Sequence, residues 1–171
     1  MGLTPRCVLE VPAGAGNRLD RLFTLLSRCG SSIHDLSRVE LSFDRPHCPR
    51  FNMPFELGLA TAMTLSGGTH RWFVFEAQPF RLQKTLSDLN GFDPYIHHGT
   101  AEGVLRELAN VFVTRRAQPS LQALLLLYRQ LKRFAVTLKA QERADTLFTP
   151  YYFRALVTTG QEMATRLGLL A

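Results

Sequence analysis

The sequence predicts an α/β protein with a doubly wound parallel sheet and helices on both of its faces. Short apolar runs alternate with segments of helical periodicity from residue 6 to residue 116, which is typical of βαβ units. The run 71–77 has a continuous apolar centre, as strands covered on both faces have. After Pro119 the pattern is helical only, so we predict an α/β domain over residues 1–116 and a helical extension over residues 117–171.

Composition places the chain among globular proteins. Its 171 residues are enough for one domain with a full core and a helical extension. Hydrophobic residues make up 46% and charged residues 20%, which excludes a disordered chain. The longest apolar run, 124–128, is far shorter than a membrane span. Arg6 and Pro12 interrupt any signal-peptide core, so we expect no membrane partner.

Cysteine usage and net charge limit the classes of partner. Cys7, Cys29 and Cys48 show no C-x-x-C spacing, so neither a disulfide framework nor a zinc site is indicated. These features favour a cytoplasmic protein. The net charge is +6, and the charged residues are spread along the chain. We therefore do not expect nucleic acid as a partner.

The first strand is predicted over residues 6–11, and a glycine-rich turn follows it over residues 12–17. The turn lacks the G-x-G-x-x-G pattern, so we expect a tight turn rather than a phosphate loop. Asn17 is a candidate N-cap. Leucines at helical spacing follow it up to Gly30, a candidate C-cap. A second strand is predicted over residues 31–36.

A loop that becomes a helix is the most informative stretch of the chain. Pro54 is tolerated in the first turn of a helix, where its missing N–H leaves nothing unpaired. Asn52 just before it is a candidate N-cap. The helix is predicted over residues 54–65, and two glycines after it mark its end. The strand 71–77 comes next.

Three shorter elements complete the predicted α/β domain. A helix over residues 80–89 begins after a proline and is closed by an Asn-Gly pair. A short last strand is predicted over residues 95–97. Thr100 then caps a helix over residues 101–115, which has a Glu in its first turn and two arginines at its end.

Two helices are predicted in the extension, over residues 121–142 and 150–167. We expect them to cover the sheet or to form a homo-oligomer interface. Arg129, Lys132 and Arg133 are expected to mark a solvated face of the first helix. The opposite face of that helix is apolar and consists of Leu124, Leu127, Leu131, Phe134 and Leu138.

Polar residues lie where the predicted strand 31–36 ends. Open α/β sheets bind their ligands at the carboxyl ends of their strands, so Asp35, Ser37 and Arg38 are candidate site residues. An equally good interpretation is that Asp35 or Ser37 only caps a turn. The polar loop 42–49 that follows is long enough to act as a lid.

Glu56 is the second candidate carboxylate. It falls in the first or second turn of the predicted helix 54–65, and the small residues Gly58 and Ala60 leave one side of that helix almost bare. A ligand could approach that side closely. The alternative is an ordinary amphipathic helix whose glutamate offsets the macrodipole.

The string RFNMPFELGLA at residues 50–60, with IHDLSR at residues 33–38 upstream, resembles a group of uncharacterised bacterial nucleotide-binding-like proteins. Their wider superfamily contains the TIR-like (Toll/interleukin receptor) domains and the nucleoside 2-deoxyribosyltransferases. There a strand ending in Asp is followed by a loop and a helix opening with Glu-hydrophobic-Gly-x-Ala, which residues 56–60 match. Residues 81–91 also resemble the uncharacterised group, and the resemblance covers roughly residues 5–116.

The resemblance implies a flavodoxin-like fold. In the uncharacterised group a first strand and helix usually precede the segment that here begins at Pro5. We therefore expect that either the chain start is truncated or the sheet has lost a central strand. Loss of the strand would expose strand edges, which favours pairing with a partner or aggregation.

The resemblance also implies a chemistry, the cleavage of an N-glycosidic bond in a nucleoside or an NAD-like substrate. The sugar becomes oxocarbenium-like as the base leaves, and a carboxylate can stabilise that cation or bond to it. Glu56 would take this role, which a glycohydrolase and a deoxyribosyltransferase share, and Asp35 would hold ribose hydroxyls or orient the base. No cofactor is implied, since NAD or a nucleoside would be substrate or ligand.

The resemblance gives further roles to the residues around Glu56. Asn52 would hydrogen-bond the sugar, and Phe51 would stack on the base. Arg38 or Arg50 would bind a phosphate, with Ser37 nearby. The alternative is a non-catalytic nucleotide-sensing module whose helices pass on a signal, or a pure interaction protein that dimerises through its helical extension.

Other catalytic motifs are missing from the sequence. No G-x-S-x-G or Cys/His signature occurs, so acyl transfer by a triad is not predicted. His97 and His98 are adjacent, so on a strand they point to opposite faces and do not bind one metal together. Only with His34 and His47 would they form a metal site.

Overall fold

The structure, a computed structural model, describes residues 3–10, 16–41, 45–113 and 118–170. Among these residues it contains three parallel strands and six α-helices, so the predicted α/β class is confirmed. The strands are β1 (Ser31–Asp35), β2 (Arg71–Glu76) and β3 (Tyr95–Ile96). The helices are α1 (Arg18–Ser27), α2 (Asn52–Leu65), α3 (Arg81–Thr85), α4 (Ala101–Val111), α5 (Leu121–Gln141) and α6 (Pro150–Arg166).

The chain divides into two compact units. The sheet unit is Leu22–Val111, and the helical unit is Met1–Arg21 together with Phe112–Ala171. The predicted domain boundary between residues 116 and 117 lies outside the described residues, so it stays a prediction.

The strands of the sheet unit pair in the order β1-β2-β3, all parallel. In their register Ile33 lies opposite Phe73, and Phe75 lies opposite Tyr95. Parallel neighbours need a crossover connection. Helix α2 joins β1 to β2, and α3 with a one-turn 3₁₀ helix, Ser87–Leu89, joins β2 to β3. The three strands predicted at these places are confirmed.

The order of the described strands follows the sequence without reversal. A doubly wound sheet needs a point where the strand order reverses, and none occurs among the described strands. Right-handed crossovers between strands in sequential order lie on the same face of a sheet. The flavodoxin-like arrangement, with helices on both faces, therefore stays a prediction.

One face of the sheet carries the apolar core of this unit. Strand side chains alternate between the two faces, and those of Leu36 and Val74 form one cluster with Leu57 of α2 and Leu82 of α3. These four residues are at most 4% exposed. Trp72 packs against the same cluster. This packing fixes α2 and α3 on the sheet and thereby positions the loops at its carboxyl end.

The other face of the sheet is aromatic. The rings of Phe73 and Phe75 lie against Tyr95 with centroid distances of 6.1 and 5.6 Å, a geometry that adds to area burial. Ile33, which lies on the same face, is 38% exposed. The aromatic contacts connect β2 to the short strand β3, whose two residues supply few backbone hydrogen bonds of their own.

The predicted strand 6–11 is wrong over its described part, because Val8–Glu10 forms a one-turn 3₁₀ helix. Glu10 explains the difference. Its carboxylate accepts the backbone N–H of Cys7 at 2.6 Å and the Nε–H of Arg6 at 2.8 Å. These local bonds fold the segment back on itself, so the Cys7 N–H is not offered to a neighbouring strand. The turn predicted at residues 12–17 lies mostly outside the described residues.

Helix α1 begins where the sequence predicts. Asn17 accepts the backbone N–H of Asp20 at 2.9 Å, and Asp20 accepts the backbone N–H of Asn17 at 3.3 Å. This reciprocal pair satisfies two backbone donors at the helix start. The prediction of Asn17 as N-cap is confirmed.

The helix predicted over residues 80–89 is broken in two. Helix α3 ends at Thr85, and the 3₁₀ helix Ser87–Leu89 follows after Leu86. The break falls at Leu86, whose φ of −138° and ψ of 69° are not helical. Leu86, just before the second segment, and Leu89, at its end, both pack against the core cluster.

Helices α5 and α6 of the helical unit pack against each other and confirm the two helices predicted there. Ser120 caps α5 by accepting the N–H of Ala123 at 3.2 Å, and Thr149 caps α6 by accepting the N–H of Tyr152 at 3.5 Å. Of the predicted apolar face of α5 only Leu124 is fully buried, and the other four residues are half-buried. A homo-oligomer interface on these helices stays a prediction.

Alanine substitutions at two helical glycines are predicted to change stability in opposite directions. An added Cβ at Gly103 of α4 would overlap the carbonyl oxygen of His97, whereas one at Gly58 of α2 would meet nothing within 4 Å. We expect Gly103→Ala to lower the free energy of unfolding by about 1–3 kcal/mol, because the backbone must shift. Gly58→Ala should raise it by about 0.5–1 kcal/mol. Urea denaturation measures both, and similar effects of the two substitutions would contradict the close approach of α4.

Candidate functional site

Three polar side chains meet at the carboxyl end of the sheet. Asp35 ends β1, Ser37 follows it, and His97 comes directly after β3. The Oδ1 atom of Asp35 accepts the Ser37 backbone N–H at 2.9 Å and also the Ser37 hydroxyl. The Nε2 atom of His97 lies 2.8 Å from Ser37 Oγ and 3.5 Å from Asp35 Oδ1. Asp35 and Ser37 thus form the predicted turn cap and also belong to a three-residue cluster.

The hydrogen bonds of His97 determine its tautomer. Its Nδ1 atom accepts the backbone N–H of Gly99 at 3.1 Å, so this nitrogen carries no proton. The proton of the neutral ring therefore lies on Nε2, which donates to Ser37 Oγ. Ser37 in turn donates to Asp35. In a catalytic triad the histidine accepts the serine proton instead, so this cluster orients a carboxylate and does not activate a serine.

A buried ion pair between Glu76 and Arg81 lies next to this cluster. Glu76 ends β2 and is 1% exposed. Arg81 of α3 donates from Nε to Glu76 Oε2 at 2.9 Å and from Nη2 to Oε1. The hydrogen bond to Glu76 raises the pKa of Arg81 above its ordinary value, and burial opposes this rise. The guanidinium is therefore a permanent charge at this position.

Arg81 also fixes the end of β1. Its Nη2 atom donates to the backbone carbonyl of Ser37 at 2.9 Å, and its Nη1 atom donates to Glu40 at 3.2 Å. The ends of β1 and β2 are thereby tied to one guanidinium. The position of the Ser37 hydroxyl, and with it that of the Asp35 carboxylate, follows from this contact.

Asp35 is the open member of the cluster. Its side chain is 51% exposed, whereas that of His97 is 5% exposed. All of its hydrogen bonds within the described part of the chain use Oδ1. Its Oδ2 atom is therefore available to accept hydrogen bonds from a ligand, while Oδ1 holds the carboxylate in a fixed orientation.

The start of α2 differs from the prediction. Asn52 is the first helical residue and not the N-cap; Phe51 occupies the cap position, without a side-chain cap bond. Pro54, which lies in the first turn as predicted, gives the physical reason. A capping side chain accepts a backbone N–H from the second or third helical residue, and the proline at the third position has none to donate. A polar side chain at the cap position therefore has one backbone N–H fewer to bind, and it stabilises this helix start less.

Glu56 lies in the second turn of α2 and is half-buried. The first turn contains no acidic residue, and the macrodipole acts mainly within the first turn. An effect of Glu56 on the macrodipole is therefore weaker than the sequence pattern suggests.

The other predicted site residues lie on the surface. Arg38 is exposed in the turn after β1, and Arg50 and Asn52 are exposed at the start of α2. Phe51 is 68% exposed. The structure therefore joins Asp35 and Ser37 to His97, and it leaves the remaining predicted residues accessible to solvent. Part of the predicted lid, residues 42–44, lies outside the described residues.

Sequence reasoning missed His97, Glu76 and Arg81. Glu76 ends β2 and His97 follows β3. Both could have been found by the rule that identified Asp35, that ligands bind at the carboxyl ends of parallel strands. His97 was considered only as a metal ligand. The described residues contain no group of three or more His, Cys, Asp or Glu side chains suited to a metal ion.

A second polar cluster is buried near the amino end of the sheet. The hydroxyl of Ser32 lies 2.7 Å from His34 Nε2 and 2.8 Å from His70 Nε2. His70 donates from Nδ1 to the carbonyl of Cys29 at 2.8 Å, so its Nε2 accepts from Ser32, which in turn accepts from His34. This network leaves the buried Nδ1 of His34 without a partner within the described residues.

The described surface also contains an open groove on α6. Its lining residues belong to that helix alone and include none of the predicted site residues. They are Pro150, Tyr151, Arg154, Ala155, Thr158 and Thr159.

Comparison with known proteins adds no further constraint. No protein-family model, no curated protein and no solved structure matches this chain. The resemblance to the TIR-like and deoxyribosyltransferase-like superfamily therefore stays a prediction. None of the helices in the described ranges has the length and apolar character required to cross a membrane.

The histidine network predicts a loss of stability in weak acid. Burial, and to a smaller extent the neighbouring His70, lowers the pKa of His34 from 6.5 to about 4. Between these two values the unfolded chain binds a proton that the folded chain does not, so stability falls as the pH decreases from about 6.5 to about 4. The shift corresponds to a loss of up to about 3 kcal/mol.

His34→Gln tests this because glutamine retains an N–H donor for Ser32 without a titrating ring. The free energy of unfolding, measured by urea denaturation from pH 7 to pH 4.5, should fall less steeply in this variant than in the wild type. His98→Asn is the matched control, because His98 is exposed and has a positive φ of 53°, which asparagine tolerates. A pH dependence that is unchanged in His34→Gln would rule out this network as its source.

Proposed function

We propose that this protein binds a nucleotide-like ligand, a nucleoside or NAD, at the carboxyl end of its sheet, within a flavodoxin-like fold of the TIR-like and deoxyribosyltransferase-like kind. The observation that carries the proposal is the Asp35 carboxylate, which is held through Oδ1 by Ser37 and presents Oδ2 to solvent. A carboxylate fixed at a strand end suits the hydroxyls of a ribose.

The charge distribution around Asp35 supports a sugar rather than a phosphate at this carboxylate. His97 is neutral in its observed tautomer, and the charge of Arg81 is shared between Glu76 and Glu40. No cation is therefore left within the cluster to attract a phosphate. The exposed guanidinium groups of Arg38 and Arg50 are the candidates for that contact.

A catalytic role rests on Glu56. Cleavage of an N-glycosidic bond develops positive charge on the sugar, and a carboxylate stabilises this charge or bonds to C1′. Glu56 is half-buried in α2, the helix that directly follows the loop from Asp35. Phe51 is exposed and offers a ring for stacking on the base, and Asn52 offers an amide for the sugar. Water or a second base would accept the sugar.

The second candidate function is nucleotide sensing without catalysis. It is favoured by the hydrogen bonds of Ser37, whose hydroxyl donates to Asp35 and is not activated by His97. The cluster then serves only to orient a binding group. The two functions differ in whether a bound nucleoside or NAD is cleaved.

Asp35→Asn tests binding. The amide keeps the shape of the side chain but replaces one acceptor oxygen by a donor, so it cannot accept hydroxyls from a ribose in the same way. We expect binding of NAD or of deoxynucleosides, measured by isothermal titration calorimetry, to weaken at least about tenfold, the loss of about one charge-assisted hydrogen bond. Asp93→Asn is the control, because Asp93 is exposed in the loop before β3. Equal affinity in the two variants would refute the role of Asp35.

Glu56→Gln separates the two functions. If the protein is an enzyme, release of nicotinamide or of a free base, followed by chromatography, should fall by a factor of at least about 100 in this variant, while binding is retained. Binding without base release in the wild type would identify the sensing function. A wild-type chain that neither binds nor cleaves any of these compounds would overturn the proposed function.

A further inference from the structure

The positive charge of the chain is concentrated in the helical unit. This unit contains twelve Lys and Arg against five Asp and Glu, a net charge of +7. The sheet unit contains eight Lys and Arg against nine Asp and Glu, a net charge of −1. Together they give the +6 of the whole chain. The sequence suggested that the charge is spread along the chain, and the division into units shows that this is wrong.

Within the helical unit, α5 carries cations without any acidic residue between Leu121 and Gln141. Arg129, Lys132 and Arg133 are three and four residues apart, and Lys139 continues the series one turn beyond Val136. Residues at these spacings lie along one side of a helix. All four cations are exposed. We call these four residues the basic stripe.

The opposite side of α5 is already occupied. Leu124 is buried and Leu131 is half-buried, and an added Cβ at Gly160 of α6 would lie 3.5 Å from Leu131. The apolar side of α5 therefore packs against α6, and the basic stripe is the side that remains open to a partner.

The cations of the basic stripe are not neutralised within the described part of the chain. None of them takes part in an ion pair there. Arg133 donates from Nε to the backbone carbonyl of Arg129 at 3.4 Å, which leaves its two Nη groups to a partner. A row of like charges destabilises an isolated helix by i,i+4 repulsion, and an anionic partner would remove that cost.

We propose that the basic stripe binds the phosphate backbone of a nucleic acid. From Arg129 to Lys139 the stripe extends about 15 Å along the helix axis at 1.5 Å per residue. A duplex carries about nine negative charges over that distance. Arg129 and Arg133 supply forked donors that fit phosphate oxygens. Contacts of this kind give affinity without reading the base sequence.

The residues beside the cations favour nucleic acid over an anionic membrane. A helix that binds a membrane surface inserts a broad apolar side into it, and that side of α5 packs against α6. The exposed apolar residues of α5 next to the stripe are Leu126, at 42%, Val136, at 64%, and Tyr128, at 37%. Two isolated aliphatic side chains do not form the broad apolar side that a membrane-binding helix inserts, whereas a tyrosine ring can stack on an unpaired base.

The test measures binding of fluorescent single-stranded and double-stranded oligonucleotides to the full chain by anisotropy, over a range of salt concentrations. With about three to four phosphates contacted, the logarithm of the binding constant should fall against the logarithm of the salt concentration with a slope of about −2 to −3.5. A variant with Arg129→Gln, Lys132→Gln and Arg133→Gln should bind at least about tenfold more weakly and lose about two units of this slope. The oligonucleotide that binds more tightly shows whether the stripe prefers single-stranded or double-stranded nucleic acid.

The control variant has Arg28→Gln, Arg71→Gln and Lys84→Gln, which removes the same residue types, all exposed, from the sheet unit. Its net charge equals that of the stripe variant, so retained binding in the control assigns the effect to the stripe. Equal losses in both variants would overturn the proposal, as would binding to vesicles of phosphatidylserine but not to oligonucleotides, or the absence of any salt-dependent binding. Circular dichroism checks that both variants are folded.

Discussion

The contact between Glu76 and Arg81 is the constraint on which the candidate site depends. A carboxylate that is 1% exposed must be paired, because an unpaired buried charge costs several kcal/mol. Arg81 provides that pairing and uses its remaining donors on the Ser37 carbonyl and on Glu40. The ion pair that allows Glu76 to be buried therefore also holds the chain after β1 next to the chain after β2.

His97 completes this arrangement from the third strand. Because its Nδ1 atom is engaged by the backbone of Gly99, the ring has one defined donor, and that donor is directed at Ser37. A neutral donor orients the hydroxyl of Ser37 toward Asp35 without cancelling the charge of the carboxylate. The end of β1 thus contributes the acceptor Asp35 and the connecting hydroxyl of Ser37, and His97 after β3 orients that hydroxyl. This is the kind of fixed geometry that ligand binding requires.

Much of the fold could be predicted from the sequence because the signals are local. Hydrophobic periodicity located the three strands and most helices, and Asn17 was recognised as a cap from its position alone. The strand at residues 6–11 failed because the acceptor for the Cys7 N–H is the side chain of Glu10, a competition that periodicity does not reveal. At the start of α2, Asn52 had the right residue type for a cap, but Pro54 removed one of the donors that it would serve.

The candidate site was predicted in part. Asp35 and Ser37 follow from the rule that strand ends carry ligands, whereas their partner His97 lies 60 residues further along the chain, and only the pairing of β1, β2 and β3 brings it close. The prediction that Arg129, Lys132 and Arg133 mark a solvated face is confirmed by their exposure. The concentration of positive charge in the helical unit was not predicted, because the net charge of the whole chain hides the difference between its two units. In both cases the missing information is non-local.

The close approach of α4 to His97 gives the site a remote point of sensitivity. Thr100 donates to the His97 carbonyl at 3.2 Å from both its backbone N–H and its hydroxyl, and Gly103 lies against the same carbonyl without room for a Cβ. The position of His97 is therefore determined by α4, a helix that contributes no side chain to the cluster. Substitutions in α4 that shift the helix would therefore change the distance between His97 and Asp35 while leaving both residues in place.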